Sequence, residues 1–270
     1  MSTASLVAVL LLGLAAILSC GGGTSSNRSS ELGNQSPHNP DSSGRSGSTP
    51  KTLQFSGYDW TVKTSSGRVG PGPNYFSDGG DSVSVDAQGR LHLRIRQQNG
   101  RWYCAEVIST RSFGYGTYRF YLEGKVDNLD PQIVLGMFTW NDAPVFNHRE
   151  IDIEISRWGQ ADNQNAQFVL QPYTHAPNVL RFQIPAGLLA STHAFTWKPD
   201  NILCQSSMGS AGDYADPSKT IKQHTFTAGI PQPGGEKARI NFWLFAGHPP
   251  TDGQEAEVII SKFEFAPLQP

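Results

Sequence analysis

Between residues 51 and 270 the chain is built from short apolar or alternating runs separated by Gly, Pro, Asn and Asp. The clearest are LHLRIRQ (91–97), GTYRFYLEG (116–124), QFVLQPY (167–173), HAFTWKPD (193–200), ARINFWLFAG (238–247) and EVIISKFEF (257–265). A period of two bounded by turn-forming residues predicts antiparallel strands, and no helical period is sustained over about 12 residues. In GTYRFYLEG, Tyr118, Phe120 and Leu122 share one face while Arg119, Tyr121 and Glu123 share the other; in LHLRIRQ, Leu91, Leu93 and Ile95 are expected to point inward. A sheet with one apolar face must be covered on that side. The expected fold is therefore all-β, with two antiparallel sheets stacked face to face as a β-sandwich over 51–270.

One segment breaks the ordinary alternation in its chemistry. Residues 149–156 read REIDIEIS, so Ile151, Ile153 and Ile155 face one way and Glu150, Asp152 and Glu154 the other. An exposed strand can carry acids without purpose, but three like charges in one row repel, and a merely solvated face would intersperse Lys or Thr. Hydrolysis of a glycosidic bond usually needs two carboxyl groups, roughly 5–5.5 Å apart where configuration is retained. Residues four apart on a flat strand have Cα atoms roughly 13 Å apart, so the two Glu side chains must lean together, which a twisted, concave sheet assists. Asp152 between them would couple the three titrations, leaving one outer Glu protonated and the other ionised near neutral pH. Which Glu takes which part is open at this level. Trp158 and Ser156 continue the acid-bearing face and His148 precedes it; an indole there can stack on a sugar ring or pack at a strand end, and His148 is a polar neighbour without a catalytic role.

Composition narrows the partners. The formal net charge is −2 and charged residues make up 16 % of the chain, so the basic surface that nucleic acid requires is missing. The first 20 residues carry an apolar run from Leu6 to Leu18, too short to cross a bilayer comfortably and suited to an export signal. Its end, Ile17-Leu18-Ser19-Cys20 followed by three glycines, resembles the lipobox of bacterial lipoproteins, although no Lys or Arg precedes the apolar run; an ordinary cleaved signal is the alternative. The resemblance implies lipidation of Cys20, a cell-surface or outer-envelope location, and contact with membrane through that anchor alone. Residues 21–50 are poor in large apolar side chains and are expected to form a disordered tether. Outside the cytoplasm a disulfide between Cys104 and Cys204 is permitted, two free buried cysteines being the other outcome.

The row E150-I-D152-I-E154 resembles the Glu-x-Asp-x-Glu signature of glycoside hydrolase family 16, the laminarinase, lichenase and xyloglucan-transferase group. RWYCAEVISTRSFGYGTYRF (101–120), HAFTWKPDNI (193–202) and Asn241-Phe242-Trp243 stand in that family's order, so the resemblance covers roughly 51–270. It implies a jelly roll of the concanavalin A-like kind, a polysaccharide substrate, Glu150 as nucleophile, Asp152 as its helper and Glu154 as general acid/base. The uninterrupted spacing is similar to the lichenase and xyloglucan branch and points to a β-1,3/1,4-glucan. Candidate sugar contacts are Trp140, His148, Trp158, Gln171, Tyr173, Trp243 and Asn74, the last in GPGPNYFS (70–77).

Departures from that pattern lie around the acids. Where lichenases have Asn-Leu-Trp-Asn-Gly this chain has Asn241-Phe242-Trp243-Leu244-Phe245; His148 stands where they carry Trp; and ILCQSSMGSAGD (202–213) replaces a Val-Asp-Gly-like turn. No cofactor is required. A structural Ca²⁺ is compatible with the resemblance, no His/Cys cluster has metal-site spacing, and a monomer is expected. A non-catalytic carbohydrate-binding or adhesion lipoprotein and a transglycosylase are the competing functions; a serine hydrolase is not, since there is no GxSxG elbow.

Overall fold

The computed structural model describes residues 50–210 and 212–269; the expected signal, the lipidated Cys20 and all but the end of the expected tether lie outside them. Sixteen strands follow one another: β1 (Thr52–Phe55), β2 (Tyr58–Val62), β3 (Tyr75–Phe76), β4 (Val83–Val85), β5 (Leu91–Gln98), β6 (Arg101–Ser109), β7 (Gly116–Glu123) and β8 (Ile133–Trp140). They continue with β9 (Ile151–Ile155), β10 (Ala166–Leu170), β11 (Val179–Phe182), β12 (Ala190–Trp197), β13 (Ile202–Met208), β14 (Thr220–Phe226), β15 (Lys237–Leu244) and β16 (Ala256–Pro267). None of the described helices is long and apolar enough to cross a membrane.

The fold is a jelly-roll sandwich. One layer runs β11-β10-β9-β8-β15-β6, with β2 and β1 continuing beyond β6; the other runs β14-β13-β12-β7-β16-β5, with β4 beyond β5. The hairpin of β5 and β6 belongs to both, pairing Arg96–Gln98 with Arg101–Tyr103 and so tying the layers together. Named strands pair antiparallel except β3 with β6.

Burial follows the alternation. Leu91, Leu93, Ile95, Tyr118, Phe120 and Leu122 are buried in one core with Ile151, Ile153 and Ile155. Aromatic rings dominate the centre: Tyr118 stacks on Phe195 at 4.6 Å, and Phe263 meets Trp60 edge to face at 5.2 Å, arrangements that add to simple area burial. Tyr121, expected on the polar face, is also buried, because its hydroxyl donates to Glu264 at 2.7 Å and the ring lies under Lys262. β8 shows no alternation; both of its faces are covered, and its sequence IVLGMFTW is apolar except for Thr139.

The disulfide does not form. Cys104 lies on β6 opposite Phe76, and Cys204 lies on β13 opposite Phe195 and His224. Each is a free, buried thiol on a different layer, and burial pushes Cys104 up to about 12.

Candidate active site

β9 is an interior strand of its layer, flanked by β8 and β10. Directly paired residues in an antiparallel sheet project to the same side, so register identifies the face. Glu154 lies between Gly136 and Gln167, Gly136 faces Asn241, and Asn241 faces Glu106. The next row is Val169, Asp152, Phe138, Arg239 and Ile108. Glu150 precedes β9 in extended conformation, its carbonyl accepting from the Gln171 amide at 3.3 Å. The three acids thus share the face turned away from the core, with the isoleucines sealed behind them.

Burial governs their protonation. It pushes Glu150 up to about 8, reinforced by the charge of Glu154 and opposed by a hydrogen bond with Asp152 and by Arg239. Asp152 is raised well above the usual carboxylate range by burial, then by the charges of Glu150 and Glu154 and by its hydrogen bond to Glu150; the Gln171 amide, 3.4 Å away, pulls it back. Glu154 rises to about 7, again through burial, with Gln167 and Arg181 opposing. Desolvation raises both outer carboxyls, and Glu150 further than Glu154, so the free protein does not show the ionised Glu150 and protonated Glu154 that the resemblance implies. What distinguishes them is their partners. Asp152, raised well above the usual range, lies against Glu150, whereas Glu154 Oε2 accepts from Gln167 Nε2 at 2.7 Å, and Gln167 Oε1 in turn accepts from Arg181 at 3.3 Å.

The aromatic candidates divide between two walls. Trp140 and Lys237 are paired at one end of the face, and His148 lies flat on the indole at 4.0 Å and 6°. One face of Trp140 is thus taken by His148, not sugar, and Arg239 lies 5.9 Å from the ring. At the other end Trp243, Trp158 and Phe245 pack together, Trp158 lying 6.3 Å from Trp243 and 5.6 Å from Phe245. Trp243 is 5 % exposed, so it is a buried wall and not an open platform. Asn74 also departs from expectation: it is buried and its amide donates at 2.8 Å to the carbonyls of both Pro71 and Leu244, clamping the loop that covers Trp243. Gln171 does reach the acids, but as a donor to Asp152, and its Oε1 accepts from the Tyr173 backbone at 2.9 Å. Tyr173 is half-buried beside it.

Several residues of this face were not anticipated. Glu106 is buried and paired with Lys63 at 2.7 Å and Arg239 at 3.1 Å. Asn241 Oδ1 is buried without a hydrogen-bond partner and lies against Gly136. A side chain at Gly136 would place its Cβ 2.4 Å from that oxygen. Gly136→Ala is therefore expected to destabilise the protein by about 1–3 kcal/mol and to lower activity by displacing Asn241 beside Glu154; thermal melts and turnover of the purified variant check both.

The chain enters β9 through an unusual turn. Phe146, Asn147, His148 and Arg149 have φ of 54°, 50°, 62° and 54°, a run of left-handed residues with no glycine among them. Such conformations cost about 1–2 kcal/mol per residue and need external support. Support comes from Asn141 N donating to His148 O at 2.7 Å, Thr139 Oγ1 to Arg149 O at 2.8 Å, and Arg149 Nε to Gln232 O at 2.7 Å. Arg149→Ala is expected to loosen this turn by about 1 kcal/mol, seen as faster amide exchange over residues 146–150 with the rest of β9 unchanged.

Among the described residues no group of three or more His, Cys, Asp or Glu side chains is placed to hold a metal ion.

No family model matches the chain. Among curated proteins it is similar to a β-glucanase of Paenibacillus polymyxa, 26 % identical over 172 residues, which are 62 % of this chain; the match spans 64 % of that relative's length. Among solved structures it is similar to the Bacillus licheniformis β-glucanase (TM-score 0.55, 19 % identity, 81 % of this chain and 99 % of that one). It is also similar to a β-1,3-1,4-glucanase (lichenase) derived from a mouse hindgut metagenome (0.53, 19 %, 82 % and 100 %) and to a pseudo β-1,3-glucanase of Mycobacterium tuberculosis (0.56, 20 %, 75 % and 88 %). The chain has the fold of the β-glucanases.

Proposed function

We propose that this protein is a retaining glycoside hydrolase of family 16 acting on a β-linked glucan with 1,3 and 1,4 linkages. The observation that carries the reading is the row Glu150, Asp152, Glu154 on one face, with Gln171 reaching Asp152 and Gln167 holding Glu154. A hydrogen bond with Asp152 favours the carboxylate at Glu150, which is what a nucleophile needs. Gln167 orients Glu154; in the free protein Glu150 is raised further than Glu154, so the role of proton donor comes to Glu154 from the family resemblance and requires substrate to reverse that order.

In the first step Glu150 attacks the anomeric carbon as Glu154 passes its proton to the glycosidic oxygen, and the bond to the leaving sugar breaks. A covalent α-glycosyl ester on Glu150 results. In the second step the ionised Glu154 takes a proton from water, whose oxygen attacks the same carbon as the ester bond to Glu150 breaks, which frees the Glu150 carboxylate and restores the β-configuration. Water drives hydrolysis; a sugar hydroxyl in its place would give transglycosylation. Export with a lipid on Cys20 belongs to the same reading, since a tethered glucanase acts on polymer at the cell envelope.

The test is release of reducing ends from lichenan, laminarin, xyloglucan and agarose, with NMR of the first product. Release from lichenan with initially β-configured product is expected; initially α-configured sugar overturns the mechanism. The likeness to a pseudo β-1,3-glucanase favours a second reading, a carbohydrate binder without turnover. Retention on the insoluble polymers without release would select it.

A further inference from the structure

A cavity of about 210 Å³ opens beside the carboxyl row, lined by Thr61, Ile108, Trp140, Asn141, Asp142, Gly235, Lys237 and Arg239. Register puts Thr61, Ile108, Trp140, Lys237 and Arg239 on the same face as the acids, since Thr61 pairs with Ile108, Ile108 with Arg239, and Arg239 through Phe138 with Asp152. Arg239 is two strands from Asp152, which at the usual strand spacing is about 10 Å. The cavity therefore lies over the sheet where a neighbouring sugar would rest, beyond the one whose bond is cut.

Its charge is unlike that of the acids. Among the residues that line it, Lys237 and Arg239 stand against Asp142, which leaves one positive charge in excess. Glu106 is already satisfied by Lys63 and Arg239, and the Asp142 side chain is 93 % exposed, so water and salt screen its share. Lys237 is half-buried and has no ion-pair partner among the described residues, and Arg239 Nε is a buried donor without an acceptor. Neutral glucan offers hydroxyls and has no use for an unmatched ammonium group beside an indole. An acidic group on the sugar would use both the charge and the donors.

We propose that this cavity is a subsite for an acidic substituent, a carboxylate or a sulfate ester, on a sugar ring next to the Trp140 wall. This rests on the glycoside hydrolase reading of the same face and adds to its β-glucan substrate a preference for chains that carry an acidic substituent.

The experiment compares mixed-linkage β-glucan oligosaccharides that are neutral, oxidised at C6 to carboxylates, or sulfated, against wild type, Lys237→Gln and Lys237→Arg, at low and high salt. Wild type is expected to favour one charged form over the neutral one by about fivefold in kcat/KM at low salt; which form it is identifies the substituent. Lys237→Gln is expected to lose that ratio and Lys237→Arg to keep it. Calorimetric titration of the same oligosaccharides separates this proposal from the hydrolase reading. Charge-dependent binding that Lys237→Gln abolishes supports the subsite even if nothing is hydrolysed. Equal handling of neutral and charged sugars by wild type, or a preference unchanged in Lys237→Gln, overturns it.

Discussion

Glu154→Gln is expected to lower turnover of natural β-glucan by about 10²–10⁴-fold, with a much smaller loss on aryl glycosides whose leaving group needs no proton. The reason is local. Gln keeps the shape of Glu154 and can still meet the Gln167 amide group, 2.7 Å from Oε2 in the native protein, so position survives and the transferable proton does not. Steady-state rates on lichenan and on a dinitrophenyl glycoside measure the two arms. An equal loss on both would show that the substitution had disturbed the site as a whole, and no loss on either would remove Glu154 from the chemistry.

The second large effect is on stability, with the opposite sign. Glu150 and Glu154 are held at about 8 and about 7 by burial, above the 4.5 of an unfolded chain. Between those values the folded protein binds more protons than the unfolded one, so stability falls as pH rises from about 4.5 through 7 and 8, and is flat above. A tenfold change in proton affinity corresponds to about 1.4 kcal/mol. Replacing one of these carboxyls by an amide is therefore expected to stabilise the protein at pH 8 by on the order of 2 kcal/mol, and hardly at pH 4. At roughly 2–4 °C per kcal/mol, Glu150→Gln should melt several degrees above wild type at pH 8. Melting curves at the two pH values decide it: a variant equal to wild type at pH 8 would mean that burial does not hold these carboxyls above their unfolded values.

Both effects come from the part of the molecule that could be read most directly. Alternation alone separated Ile151, Ile153 and Ile155 from the acids, because β9 has a covered side and a side that bears polar groups, and the period of two survives wherever that contrast holds. It failed at β8, which is buried on both faces, and at Tyr121, whose hydroxyl lets an outward ring be covered. The site was legible along one strand and not across strands. Gln167 lay in plain view within QFVLQPY, yet its place opposite Glu154 depends on register between β9 and β10, which no local pattern specifies. Glu106, Arg239 and Lys237 are far from the acids in sequence and join them only through the pairings of β15 with β6 and β8. Asn74 and Trp243 were misjudged for a related reason: residue type suits sugar contact, but a loop fastened to Leu244 covers the indole. The cysteines show the same limit, since spacing along the chain says nothing of which layer each thiol enters.

The order of strands on the acid-bearing layer has a bearing on the polymer. On the glycoside hydrolase reading, a glucan laid crosswise over β10, β9, β8, β15 and β6 meets a new strand about every 4.8 Å, so the strands lying side by side bound the number of sugars that could be gripped. Lengthening or trimming that edge would retune the size of the fragments released while leaving the cutting groups where they are.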